Sequence, residues 1–390
     1  MKIAGIIAEY NPFHIGHIYH IAQTKEAGAT HIVAVMSGST VQRGEFAILR
    51  KETRTRMALE HGADLVICLP TPWSCARAQD FSRAAIHLVN SLGCVDILSF
   101  GSECGDMDLL KRAALGLRDG GVVNEMKGRI GEGAAFAVAR QQALAQVDFM
   151  ASQCLRTPND TLNVEYVSVL KEIGAGIRPL AIPRVRGEGY KSASELRIII
   201  EKGDFDHNNL QNIYKPSAYE PLREELSRGL FAENRQMETA MLARLRTMSE
   251  AEFVQLPDIS EGMERLLARA VREGRNYQEI LSIAVGKRYP AARIRRIMFH
   301  ALLRISKKNF TALPGYIQIL GFNKNGRAIL HRMKTSAMLP IVHRYADAKT
   351  LDSHGTQLYE AECRATDLQA LAMKNALPCG TEERRKMVVI

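Results

Sequence analysis

From residue 2 to residue 203 short apolar runs alternate with longer amphipathic segments, and this alternation leaves the chain few folds to choose from. Residues 2–9, 31–36, 64–69, 95–100 and 178–182 are of strand length and almost continuously apolar. Residues 17–27, 51–61, 79–92, 132–146, 159–173 and 191–202 are of helix length. In 51–61 the charges collect on one side. Strands that are apolar on both sides must be covered on both faces, so the pattern predicts an α/β fold, a Rossmann-like parallel sheet between two helical layers. Such sheets bind ligands beyond the carboxyl ends of their strands, where strand order reverses. The loops after Glu9 and after Phe100-Gly101-Ser102 are therefore expected to share one pocket.

Beyond about residue 204 the pattern changes. Segments 221–227, 233–248, 262–273, 277–286, 290–305 and 324–333 are amphipathic with helical period, and no strand–helix–strand unit is legible. A chain of 390 residues suits two domains. The expected division is 1–203, an α/β nucleotide-binding domain, and 204–390, a mainly α-helical domain. No apolar run approaches the roughly 20 residues of a membrane helix. Residues 1–9 read as a buried strand rather than a signal peptide. Seven scattered cysteines without a C-x-x-C pair argue against a disulfide framework or a zinc ribbon and for reduced thiols in a cytoplasm. The net charge of +10 suits an anionic partner.

The segment Glu9-Tyr10-Asn11-Pro12-Phe13-His14-Ile15-Gly16-His17 carries the clearest chemistry. Pro12 ends the first strand, Gly16 lets backbone approach a ligand, and a helix from His17 offers free N–H groups and a positive dipole end to phosphate. Imidazoles at His14 and His17 can stabilise charge that grows on phosphate as a P–O bond breaks. The chemistry suggested is attack at the α-phosphate of ATP with pyrophosphate leaving. Two other readings stand beside it: histidines incidental to a strand–turn–helix, or a metal site of His14, His17 and His20. On a regular helix His20 lies about 120° around from His14, which disfavours the metal, and no metal ligand set is expected.

His14-Ile15-Gly16-His17 resembles the H-x-G-H motif of the nucleotidylyltransferase superfamily. The wider stretches EYNPFHIGHIYH (9–20), MSGSTVQRGE (36–45), DLVICLP (64–70), FGSE (100–103), TPNDTLNVEY (157–166), LGFNKNGR (320–327) and RATDL (364–368) resemble the tRNA(Met) cytidine acetate ligase family. The resemblance spans nearly the whole chain. It implies a nucleotidylyltransferase domain that makes acetyl-adenylate from acetate and ATP. It further implies transfer of the acetyl group to N4 of the wobble cytidine of elongator tRNA(Met). The ATP site it implies comprises Ile7, Ala8, Glu9, Tyr10, Asn11, Pro12, Phe13, His14, Ile15, Gly16, His17, Ile18, Tyr19 and His20, with Gly101, Asn159, Arg184 and Val185; His14 and His17 are the catalytic pair. Mg²⁺ would arrive with ATP. The chain departs from the family at Ser39, where Asn or Asp is usual, at Thr40, often Phe, and at Asn163, usually a small residue. The loop 184–190 is one residue longer than is typical, so either Arg184 or Arg186 takes the family's arginine role.

Other residues extend this reading. Arg184 and Arg186 follow a strand and can clamp phosphate, or are solvated loop charges. Asn159 can bond a nucleotide or cap its helix. Ser192, Ser194 and Arg197 stand near a helix start and suit an anion. Arg43, beside Gly44, can hold a carboxylate or phosphate, or lie on a surface loop. Residues 287–308 hold eight Lys/Arg and no Asp/Glu, with Tyr289 available to stack on a base. Lys287, Arg288, Arg293 and Arg296 are the expected tRNA contacts, against the alternative of a solvated basic face. Competing functions are a small-molecule adenylyltransferase and an RNA-binding protein without catalysis.

Overall fold

The computed structural model describes residues 1–184, 192–203, 214–260 and 262–390. Its centre is an eight-stranded sheet. β1 (Ile3–Ala8), β2 (His31–Ser37), β5 (Leu65–Leu69), β6 (Ile97–Ser102) and β7 (Arg178–Pro183) are the strands expected from the apolar runs. They pair in parallel in the order β5-β2-β1-β6-β7. β3 (Thr40–Val41) and β4 (Glu45–Phe46) form a separate small hairpin. The chain leaves β1 for β2 on one side and returns to β6 on the other, so strand order reverses between β1 and β6, as the pocket argument requires.

Alternate residues of each strand feed opposite faces, the period of two inherent in a strand. Ile3, Val33, Val35, Leu65 and Ile67 pack with α3 (Ala78–Ser91) and with the helix Pro158–Glu172. Ala4, Ile6, Ile32, Ala34 and Met36 pack with α1 (Ile15–Glu26), α2 (Lys51–Glu60) and the helix Pro216–Ser227. A third core, with Leu245, Phe253, Leu267, Ile280, Ile294 and Ile297, gathers the helices between residues 238 and 302.

Three differences from the sequence expectations matter. α2 does not present all its charges to solvent: Lys51 and Arg54 are buried, while Glu52, Arg56 and Glu60 are partly exposed. The helices Met107–Gly116, Gly120–Gly131 and Ser353–Ala372 had no counterpart in the sequence reading. Finally, the chain beyond residue 204 does not stay apart from the sheet. β8 (Ile317–Phe322) adds antiparallel to β5, β9 (Ile341–Val342) and β10 (Val388–Val389) add to β8, and together they extend the sheet at its β5 edge. A short apolar run such as that of β8 cannot be told from a helical segment by periodicity alone. Among the described residues no helix is long and apolar enough to cross a membrane.

Candidate active site

α1 starts at Ile15, two residues before the sequence placed it, and His14 is its N-cap. The cap is built from imidazoles. The Gly16 N–H donates to His14 Nδ1 at 3.0 Å, and the His14 N–H donates to His17 Nδ1 at 3.1 Å. Each Nδ1 is thus an acceptor, so each neutral ring carries its proton on Nε2. The rings stack with centroids 3.8 Å apart. A β-carbon on Gly16 would lie 2.8 Å from His14 Cε1, so the close approach of cap ring and backbone requires glycine there. Burial, with Arg184 nearby, lowers His14 to about 4, and burial lowers His17 well below its ordinary value. Both rings are therefore neutral N–H donors at pH 7, at a helix N-terminus whose first amides suit phosphate. His20 is committed elsewhere, its Nε2 bonded to Ser99 Oγ at 2.9 Å. The three histidines do not share one coordination centre.

This cap opens on a cleft of ≈ 460 Å³ at the β1/β6 reversal. Tyr10, at φ 48°, is held in the left-handed region by complete burial between Phe13 and His17. Arg54 sits beneath the cleft and fastens the strand ends. It donates to the carbonyls of Glu9 (2.8 Å), Ser37 (2.9 Å) and Leu49 (3.1 Å), and also to that of Gly38. Burial lowers the guanidinium to about 10, with Glu362, Glu52 and Glu9 nearby opposing the fall. Glu9 is half-buried at the cleft; its Oε1 accepts the Gln42 N–H at 2.8 Å. Burial raises its carboxyl, with Glu45 adding to the rise and the Gln42 bond, Arg43 and Arg197 opposing it.

The opposite wall comes from β6 and the helix Pro158–Glu172. Thr157 rather than Asn159 is the cap of that helix. Asn159 donates to Glu103 Oε1 at 2.5 Å, and Glu103 also faces Arg184 at 3.8 Å. Asp160 pins the loop after β6, accepting from the N–H groups of Glu103 (3.1 Å) and Cys104 (2.9 Å). Asn163, one of the departures from the family pattern, donates to the Gly101 carbonyl at 3.0 Å.

Ile7, Ala8, Glu9, Tyr10, Asn11, His14, Gly16, His17, Tyr19 and His20 line the cleft. So do Gly101, Asn159 and Arg184, and so do Arg43, Ser192, Ser194 and Arg197. Arg197 donates to the Asn11 carbonyl at 2.6 Å and to Ser194 Oγ at 3.0 Å. Pro12, Phe13, Ile15 and Ile18 are not in the lining; Phe13 is fully buried and supports it. Val185 and Arg186 lie outside the described residues. The sequence reading missed Gln42, Phe100, Asn163 and Tyr166 in the lining and Arg54 beneath it. All four lining residues lie inside the motifs that carried the family resemblance, Gln42 in 36–45, Phe100 in 100–103 and Asn163 and Tyr166 in 157–166, but none was assigned to the site. Arg54 gave no sign, because a cation in a polar helix reads as solvated.

The basic stretch forms the helix Ala291–Leu302 and the turn before it. Lys287 and Arg288 are exposed. Arg293 is tethered, donating to the Asp258 carbonyl at 2.6 Å and to Ser260 Oγ at 3.2 Å. Arg296 is mostly buried and faces Asp258 Oδ2 at 3.5 Å. Arg295, which the sequence reading did not single out, is exposed. This helix packs on the Arg43 loop: a β-carbon on Gly44 would come within 2.9 Å of the Arg296 backbone. Distant in sequence from His14, the basic helix is adjacent in space to the rim of the cleft.

The sequence profile of the HIGH nucleotidyl transferase family matches residues 1–384. A Thermoanaerobacter sp. tRNA(Met) cytidine acetate ligase is 36% identical over 98% of this chain and 98% of its own length. The enzyme of that name from Caldanaerobacter subterraneus is 35% identical over 96% of each chain. Among solved structures, Thermotoga maritima TmcAL bound with alpha-thio ATP superposes with a TM-score of 0.93 at 28% identity, covering 100% of both chains. Its apo form gives 0.92.

Proposed function

The chain belongs to the HIGH nucleotidyl transferase family and, within it, to the tRNA(Met) cytidine acetate ligases, and from that premise we propose that it activates acetate with ATP and acetylates a tRNA cytidine. ATP occupies the cleft with its phosphates at the N-terminus of α1. The acetate carboxylate attacks the α-phosphate, pyrophosphate leaves, and acetyl-adenylate remains. N4 of the wobble cytidine of elongator tRNA(Met) then takes the acetyl group and AMP departs.

The observation that carries this reading is the imidazole cap. Two neutral rings whose Nδ1 atoms are occupied by backbone N–H groups are fixed as Nε2–H donors before substrate arrives. Preorganised donors stabilise the charge that develops on phosphate without reorganising at the moment of reaction. Arg43, Arg184 and Arg197 add positive charge to the walls. Mg²⁺ would enter on the phosphate oxygens of ATP and neutralise charge there; the lining offers one carboxylate among the described residues, Glu9, where a dedicated cage needs more. The tRNA is placed over the exposed cations Lys287, Arg288 and Arg295, with the Arg43 loop between them and the cleft. Such an enzyme works in the cytoplasm, where tRNA is found.

The test is isotope exchange between pyrophosphate and ATP with and without acetate, followed by addition of tRNA(Met) and nucleoside analysis. Acetate-dependent exchange and N4-acetylcytidine are expected. Exchange that ignores acetate would point to another acyl or nucleotidyl substrate, and unmodified tRNA would remove the second half of the reading.

A further inference from the structure

We propose that Glu9 is the general base of acetyl transfer, its Oε2 receiving the proton that the cytidine N4 amine loses as it attacks the acetyl carbonyl. The inference rests on the function proposed above and adds a role for one residue within it. The exocyclic amine of cytosine is a weak nucleophile. As its nitrogen bonds to the carbonyl carbon it becomes positive, and a proton must leave before the amide is stable. The C–N bond forms, the bond from the acetyl carbon to the phosphate oxygen breaks, AMP leaves with that electron pair, and the N4 proton passes to Glu9. Two negative charges, on carboxylate and acyl phosphate, become the two of AMP.

The lining of the cleft leaves few candidates for this base. His14 and His17 each accept a backbone N–H at Nδ1 and carry a proton on Nε2, so they donate and cannot accept. His20 is engaged by Ser99. Arg43, Arg184 and Arg197 are cations. Among the described residues of the lining Glu9 alone is a carboxylate. It is the first residue after β1, at the reversal of strand order, five residues before the imidazole cap and on the same strand–turn–helix. The Gln42 N–H holds Oε1, while Oε2 takes no hydrogen bond from a described residue. Among the described residues, the charged and titratable groups around it are Arg43 and Glu45 from the β3–β4 hairpin, Arg197 from the helix Ala193–Lys202, Arg54 from α2 and Tyr166 from the helix Pro158–Glu172. Burial in this setting raises the carboxyl, which makes it a better proton acceptor than a solvated glutamate.

The experiment separates the two half-reactions. Glu9→Gln keeps an oxygen to accept the Gln42 N–H, so the fold is retained. Acetyl transfer is followed in a single turnover from preformed acetyl-adenylate to tRNA, and activation is followed as acetate-dependent pyrophosphate exchange. Glu9→Gln is expected to slow transfer by about 10²-fold or more and to lower exchange by less than about 10-fold, since general bases contribute roughly this much. Wild-type transfer should rise with pH through one ionisation, a limb absent from Glu9→Gln and displaced but present in Glu9→Asp. Equal losses in both half-reactions, or a wild-type transfer rate and pH limb in Glu9→Gln, would overturn the assignment. A wild-type protein with no acetate-dependent exchange would instead sink the proposed function itself, an outcome read before any variant is made.

Discussion

His14 and His17 hold one tautomer for one reason: each Nδ1 satisfies a backbone N–H at the start of α1 that has no partner within the helix. His17→Ala is expected to cut acetyl-adenylate formation by about 10²-fold or more, the cost of losing one preorganised donor. Near-normal exchange in the folded variant would take the phosphate role from His17. Gly16→Ala tests the cap itself. Its β-carbon meets the His14 ring at 2.8 Å, so the ring must turn away from the Gly16 N–H. Activation should fall with far-UV circular dichroism preserved; unchanged exchange would show that the ring position is unimportant.

At the scale of elements, the strand ends are fixed by buried charge on α2. Arg54 binds the carbonyl of Glu9 just after β1 and those of Ser37 and Gly38 at the end of β2. Arg54→Met would leave those carbonyls unsatisfied and is expected to destabilise the protein by about 2 kcal/mol or more in chemical denaturation. A smaller change would mean that water replaces the guanidinium. Lys51 is held by Glu362 at 2.8 Å and by Glu382 at 2.5 Å, both from the last 40 residues of the chain. Glu362 also accepts the Thr71 N–H at 2.7 Å, tying the helix Ser353–Ala372 to the loop after β5. The contact of the Arg43 loop with the basic helix has a sharp test in Gly44→Ala. At φ 78° and against the Arg296 backbone, an alanine must displace the loop. The KM for tRNA should rise more than the KM for ATP; equal effects would place the loop's role wholly in the nucleotide site.

Across the whole molecule, the division at residue 204 is crossed by the sheet and by its buried ion pairs. A fragment of residues 1–203 lacks β8, which covers the β5 edge, and lacks Glu362 and Glu382, which neutralise Lys51. A bare sheet edge and an unpaired buried ammonium are both costly. The fragment is expected to lack a cooperative unfolding transition, and a sharp one would show that the α/β half folds alone. A second prediction concerns pH. Burial lowers His300, whose Nε2 bonds the Cys75 carbonyl at 3.0 Å, to about 4. The unfolded chain therefore binds more protons than the native one between about pH 6.5 and that value, and stability falls as pH is lowered through the window. His300→Gln should flatten this dependence by up to one proton, about 1.4 kcal/mol per pH unit at the steepest point, in denaturation series at successive pH values. An unaltered slope would assign the pH dependence to other groups.

The sequence by itself determined the parallel strands β1, β2, β5, β6 and β7, the turn at Pro12 and the presence of a helix just after it, though not its start at Ile15, because strand period, apolar continuity and turn residues act over a few neighbouring positions. It also carried the family, because motifs survive as local strings. Only the tertiary structure decided that Lys51 and Arg54 face inward, that β8 and β10 belong to the sheet, that Arg293 and Arg296 are tied to Asp258 while Arg295 is exposed, and that the basic helix meets the rim of the cleft. Most of those outcomes depend on partners more than 30 residues away in the chain, and even Arg54, with acceptors as near as Leu49, needs the carbonyl of Glu9 45 residues back. A charge reads as solvated until its distant counter-charge or carbonyl is in place, and a six-residue apolar run becomes a strand only where a sheet edge lies open to receive it.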